Sequence, residues 1–208
     1  MSHPDAERWN ARYQIEGPAK LKRPAPRLLR QIAYLLPSSG LALDAACGVG
    51  THAIFLAEHG LRVIGMDISL TALHMALQVA RQRQLPFSGV VWDLAYPWLP
   101  PAHFEVIINF RFLERVTFPV FKEALKPGGL LIFETFVSQG DEGQHPSYYL
   151  NPGELLETFN SYEILQHGLQ PAKERVMEYL VARKPKESPP GNSEGLSLEQ
   201  IPRSELAA

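Results

Sequence analysis

The stretch LALDAACGVGTHAIF, residues 41–55, constrains this chain more than any other. An apolar run reaches the acid Asp44, the chain opens into Gly48-x-Gly50, and a helical pattern takes over at Thr51. Glycine allows positive φ and brings backbone amides against a ligand with no Cβ in the way; the first amides of the following helix point to the same place. A buried strand, a glycine turn and a helix in succession form the opening unit of an alternating α/β fold.

The alternation continues. PAPRLLRQIAYLLP (24–37) places Leu28, Leu29, Ile32, Leu35 and Leu36 on one helical stripe. Short strands are expected at 41–43, 62–66, 88–92, 104–109 and 130–136, the last after a tight turn at KPGG (126–129). Helices are expected at 51–59, from the N-cap Ser69 to about Gln84, and at 117–126. After a loop over 137–151 and a short helix over 152–160 the rhythm breaks. Two strands, 161–167 and 175–183, follow one another and predict an antiparallel pair at one sheet edge. A dinucleotide fold would continue with helices there.

At 208 residues and 45% hydrophobic, the chain can bury a single core, placed at 1–184 with 1–23 as a polar N-terminal extension. From 185 to 208 Pro, Ser, Gly and Glu dominate, which predicts a flexible tail. A net charge of −2 gives no global pull toward nucleic acid or an anionic membrane, and the basic stretch Lys20-x-Lys22-Arg23 reads as a solvated face. One cysteine excludes an internal disulfide, and the scattered histidines predict no metal site. With no signal-like or membrane-spanning apolar run, the expectation is a cytoplasmic protein.

Two cofactor classes compete for the glycine turn. Gly48-x-Gly50-x-x-Ala53 with Asp67 beyond it meets the looser dinucleotide fingerprint, which keeps a nicotinamide-dependent reductase open. Against it, Asp44-Ala-Ala-Cys47 intervenes between strand and first glycine, and an acid there repels a pyrophosphate while attracting an ammonium group. Asp93, at the end of the third strand, supplies a further acid.

LDAACGVGTHAIFLAEHGLRVIGMDIS, then WDL, FEVIIN and LKPGGLLIFETF, resembles the class I S-adenosylmethionine-dependent methyltransferases, in order over about residues 7–184. The resemblance implies a Rossmann-like, mainly parallel sheet of seven strands, order 3-2-1-4-5-7-6, with helices on both faces and the last strand antiparallel. RWNARY (8–13), ETF (134–136) and YLNPGELLETF (149–159) are similar to the small bacterial tellurite-resistance-type proteins. It further implies that Asp44, Ala46, Gly48 and Gly50 surround the methionine portion of the cofactor and that Asp67 takes the ribose hydroxyls. Ile68, Asp93 and Leu94 then meet adenine, Asn109 lies beside the methyl group, and Trp9, Arg12 and Tyr13 belong to an N-terminal lid.

Arg111, Arg115, Glu134, Tyr148 and Tyr149 are the candidates for the acceptor side; structural pairing is the plainer reading for the two arginines. Cys47 reads as a turn filler, since no partnered histidine is evident, and His52 either contacts ligand or marks a helix start. The expected activity is in-line methyl transfer from S-adenosylmethionine to a small molecule, with no base named. The alternatives are the reductase and a non-catalytic cofactor-binding module, and the oligomeric state stays open.

Overall fold

Among the described residues, seven strands and six helices carry the architecture: β1 (Leu41–Ala45), β2 (Arg62–Asp67), β3 (Phe87–Val91), β4 (Phe104–Phe110), β5 (Leu125–Val137), β6 (Glu163–Ala172) and β7 (Arg175–Arg183), with α1 (Pro4–Leu21), α2 (Arg27–Gln31), α3 (Thr51–Glu58), α4 (Leu70–Gln82), α5 (Thr117–Ala124) and α6 (Glu154–Thr158). The computed structural model describes residues 3–140, 146–172 and 175–186. The tail expected beyond 184 therefore lies, from 187 on, outside the described residues, as does part of the loop expected over 137–151.

The strands form one sheet in the order β3-β2-β1-β4-β5-β7-β6. Pairing is parallel from β3 through β5, and β7 runs antiparallel to both β5 and β6. This is the expected order, with the reversed strand one place in from the edge. Central strands are apolar on both faces because helices cover both. Ala42, Val106, Ile108, Ile132 and Val181 pack against Leu28, Leu29, Ile32 and Leu56 on one side. Leu43, Ile107, Phe133 and Leu180 pack against Phe118, Phe121, Leu155 and Phe159 on the other.

Two local readings are corrected, and the N-terminal segment gains a helix. The helix expected over 24–37 is only α2 followed by one 3-10 turn at Ala33–Leu35, because Ile32 leaves helical geometry (φ −100°, ψ 8°). Leu28, Leu29 and Ile32 stay buried all the same. The KPGG turn lies inside β5, where pairing jumps from Phe104↔Leu125 to Val106↔Leu130, and Lys126–Gly129 loop out with Gly128 at φ +78°. Residues 1–23, read as a polar extension, hold the 18-residue helix α1. Its apolar positions are too sparse to announce it. His3 accepts from the Asp5 amide at the N-cap, Glu16 pairs with Arg12 and Lys20, and Tyr13 and Gly17 are its buried contacts.

Arg115 anchors the segment that roofs the sheet edge. Its Nε and Nη2 donate to the two oxygens of Glu154 at 2.6 and 2.8 Å, and its guanidinium also reaches the Ser147 and Tyr149 carbonyls. This segment then joins the end of β5, Leu150 N donating to Phe136 O and Ser138 N to Leu150 O. The side chain of Arg115 is 40% exposed, so we expect Arg115→Gln to cost about 1–2 kcal/mol, below the full value of hydrogen bonds to a charged group. Urea unfolding checks the cost. Faster hydrogen exchange at Ser138 and Leu150 should accompany it, and unchanged exchange there would remove the anchoring role.

Candidate functional site

The turn between β1 and α3 is built from left-handed residues: Ala46 at φ +54°, Gly48 at +54° and Gly50 at +75°. Cys47 N donates to Met66 O, and Gly50 N to Cys47 O, both at 2.9 Å, so the turn is tied to β2 and to itself. Two of the glycines are also sterically required. A Cβ on Gly48 would lie 2.6 Å from the Tyr13 hydroxyl, and one on Gly50 would lie 2.7 Å from the Ala76 Cβ. Cys47 is buried within this turn, its thiol turned toward the Gly48 carbonyl at 3.6 Å.

Two acids converge on the turn. Asp44 is fully buried; Oδ2 accepts from Ala53 N at 3.0 Å, while Oδ1 has no hydrogen-bond partner. Asp67 ends β2 and accepts from Gly48 N at 2.7 Å and Ser69 N at 2.8 Å. Burial pushes both carboxyls up from their ordinary range, opposed at Asp44 by the Ala53 amide and at Asp67 by its two amides. A cationic ligand group would reverse that pressure.

Asp93 lies apart from this pair. β3 ends at Val91, and Asp93 stands in the turn beyond it. There it accepts from Ala95 N at 2.9 Å, with His3 Nε2 at 3.4 Å. Leu94 is buried in the core, and Ile68 is half-buried. On the far side of β1, Asn109 stands opposite Ala45; its amide donates to Phe112 O at 2.7 Å and its Oδ1 has no partner.

Helix α1 covers the turn. Tyr13 is buried beside Val49 and Ala72, stacked on Trp9 at 5.7 Å with Lys20 at 4.7 Å from its ring. Burial raises its phenol well above the ordinary value, with the Asp67 charge second. Arg12 is exposed, pairs with Glu16 and lies over Trp9. The residue sequence reasoning missed is Asn10. Its Oδ1 accepts from Ser69 Oγ at 2.8 Å and Thr71 N at 3.0 Å, pinning α1 across the start of α4.

The acceptor-side candidates divide. Arg111 and Glu134 come together, Arg111 N donating to the Glu134 carbonyl at 2.7 Å. Tyr149 packs on Phe136 at 6.1 Å with Arg175 over both rings, and Tyr148 is exposed on the neighbouring 3-10 turn. Arg115 is committed to Glu154, the structural pairing expected of it. His52, whose side chain is 22% exposed, packs on Phe110 at 4.5 Å with the rings tilted by 41°, and its Nδ1 lies 4.0 Å from Asp44 Oδ1.

Desolvation, helped by Arg111, lowers the His52 pKa from 6.5 to about 4. The unfolded chain thus binds a proton there, between those values, that the folded chain does not. This contribution to stability is complete above pH 6.5 and is lost as pH falls toward 4, about 3 kcal/mol across the window at roughly 1.36 kcal/mol per unit. In His52→Gln we expect the loss of stability over that acid window to shrink by that amount, as read by urea unfolding at a series of pH values. Identical pH profiles would refute the burial argument.

The buried side-chain atoms without a hydrogen-bond partner, among the described residues, are Asp44 Oδ1, Asn109 Oδ1 and Glu178 Oε2. The first two sit at the C-terminal ends of adjacent strands, on either side of a turn whose glycines leave no Cβ in the cradle. Buried acceptors beside a glycine turn suit a ligand bearing an ammonium group and hydroxyls; Asp44 would repel a pyrophosphate. Among the described residues no group of three or more His, Cys, Asp and Glu could hold a metal ion, and no helix is long and apolar enough to cross a membrane.

Residues 42–129 match the family described as "Methyltransferase domain". The chain is 38% identical over 71 residues to the S-adenosyl-L-methionine-dependent Diels-Alderase iccD of Talaromyces variabilis, covering 34% of this chain and 24% of that protein. It is 34% identical over 98 residues to the ubiquinone biosynthesis O-methyltransferase of Coxiella burnetii, covering 45% and 42%. The chain thus spans less than half the length of either relative. TehB from Haemophilus influenzae shares the fold with a TM-score of 0.67 at 20% identity, over 77% of this chain and 62% of that one. Residues 42–129 thus carry a methyltransferase domain, and the sheet around it has the strand order of the class I S-adenosylmethionine-dependent methyltransferase fold.

Proposed function

We propose that residues 1–184 work as one methyltransferase unit acting on a small-molecule acceptor. The observation that carries this reading is the unpaired buried oxygen of Asp44 above the glycine turn. In it, Asp44 Oδ1 and the Ala46 carbonyl take the ammonium of S-adenosylmethionine, and Asp67 takes the ribose hydroxyls through the remaining lone pairs of its carboxylate. Gly48 and Gly50 let the backbone close on the methionine portion. Ile68, Leu94 and Asp93 receive adenine, Asn109 borders the methyl group, and Tyr13 closes the cradle from above. When bound, the sulfonium supplies a methyl group on a leaving group that needs no further activation. The residues therefore contribute chiefly by orienting the reactants and excluding water.

Calorimetric titration with S-adenosylmethionine, S-adenosylhomocysteine and NADH tests this. Micromolar binding of the two sulfur ligands is the expected result. Their failure to bind a folded protein overturns the proposal, and an NADH signal in their place favours the reductase.

A further inference from the structure

Asp44 shares its sheet face with Ala42, Ile108, Phe110 and Ile132, and that face ends at the C-terminal edge in a second group of polar residues. Glu134 stands opposite Phe110 in the β4–β5 register and is only 2% exposed. Gln170 Nε2, reaching from β6 across β7, donates to its Oε2. No donor among the described residues reaches its Oε1.

Arg111 follows directly on β4 with φ +58°, a left-handed conformation that costs a non-glycine residue about 1–2 kcal/mol. Such strain persists only where the surroundings impose it, and it concentrates at functional sites. Its amide is held by the Glu134 carbonyl, yet its guanidinium makes no hydrogen bond or ion pair among the described residues. A cation with no bonded partner among the described residues thus lies within Coulombic reach of a half-paired buried carboxyl, next to which its own backbone is tied. His52, packed on Phe110, links this pair to Asp44 and so to the cofactor cradle.

We propose that Arg111 and Glu134 hold the methyl acceptor, a small molecule with an anionic group for the guanidinium and a protonated nucleophile (thiol, phenol or ammonium) for the carboxylate, and that Glu134 takes that proton. The inference rests on the methyl-transfer reading. The nucleophile's X–H bond breaks toward Glu134, the new bond forms from X to the methyl carbon, and the methyl–sulfur electron pair stays on sulfur, leaving a neutral thioether. Glu134 then returns the proton to water. His52 is the poorer base, since at a pKa of about 4 it does not keep a proton at neutral pH, whereas burial raises the Glu134 carboxyl against the pull of Arg111. Gln170 is a positioning residue that fixes the carboxyl.

The test uses the full chain saturated with S-adenosylhomocysteine, titrated calorimetrically with mercaptoacetate, para-hydroxybenzoate and glycine, and with the methyl ester of each. Turnover of the same compounds with S-adenosylmethionine is read as thioether release. At least one acid should bind about 10-fold or more tightly than its ester, and Arg111→Gln should erase that gap, as expected for a lost charge-assisted contact. Glu134→Gln should keep acid binding while lowering turnover by about 100-fold or more, the scale of general base catalysis. Equal binding of acids and esters overturns the proposal, as does wild-type turnover in Glu134→Gln. Should that variant not fold, the exposed Arg111→Gln still decides through the acid–ester gap. Failure of S-adenosylhomocysteine to bind the wild type is a separate result and removes the methyl-transfer reading itself.

Discussion

Asp67→Ala is expected to weaken binding of S-adenosylmethionine and S-adenosylhomocysteine by about 100-fold or more. Two ribose hydroxyls donating to one carboxylate contribute about 1.5–3 kcal/mol each, and 1.4 kcal/mol is a factor of about 10. The same carboxylate accepts the Gly48 and Ser69 amides at 2.7 and 2.8 Å, so its loss also loosens the turn that receives the methionine portion. Stability is the poorer readout. Removing Asp67 leaves two amides without an acceptor but relieves a carboxyl whose pKa burial has already raised. Calorimetry on the folded variant decides the matter. Asp67→Asn should fail nearly as badly, because its NH2 group must confront either the Gly48 or the Ser69 amide. Wild-type affinity in Asp67→Ala would move the ribose elsewhere.

Gly50→Ala should destabilise the fold by about 2–5 kcal/mol, adding about 1–2 for a left-handed alanine to about 1–3 for overpacking. The added methyl would sit 2.7 Å from the Cβ of Ala76, on α4, and neither atom is the end of a flexible side chain. Ala76→Gly alone should cost about 1 kcal/mol as a helix-interior glycine. Combined, the two should be less harmful than their sum by about 1 kcal/mol or more, since the second opens space for the first. Urea unfolding of the four proteins measures the cycle. Strict additivity would mean that backbone strain alone disfavours alanine at this position.

The central half of the sheet was legible because buried parallel strands are short apolar runs and the turn after β1 needs glycine twice. Asp44, Asp67 and the glycines could be placed from sequence for the same reason. What escaped were contacts between residues far apart in the chain. Asn10 caps a helix start 59 residues away, and Gln170 reaches a carboxyl 36 residues back. Neither position has a local pattern to announce it. Asp93 stands two residues beyond the end of β3, where its carboxylate accepts from Ala95 N, and Arg115 finds its acid in a segment not adjacent in sequence. The 18 residues of α1 are held by tertiary contacts more than by amphipathic periodicity.

The place of β7 between β5 and β6 has a consequence for the growing chain. β6 leaves the ribosome before its partner exists, and the apolar flank of β5, Leu130 to Val137, stays uncovered until residues 175–183 have been made. Synthesis adds about 5–20 residues per second, so this bare strand edge persists on a scale of seconds in every nascent copy. It is the point at which two unfinished chains could join edge to edge. A stalled or nicked product ending before Arg175 would keep that hazard permanently, with its glycine turn already assembled on the other side of the sheet.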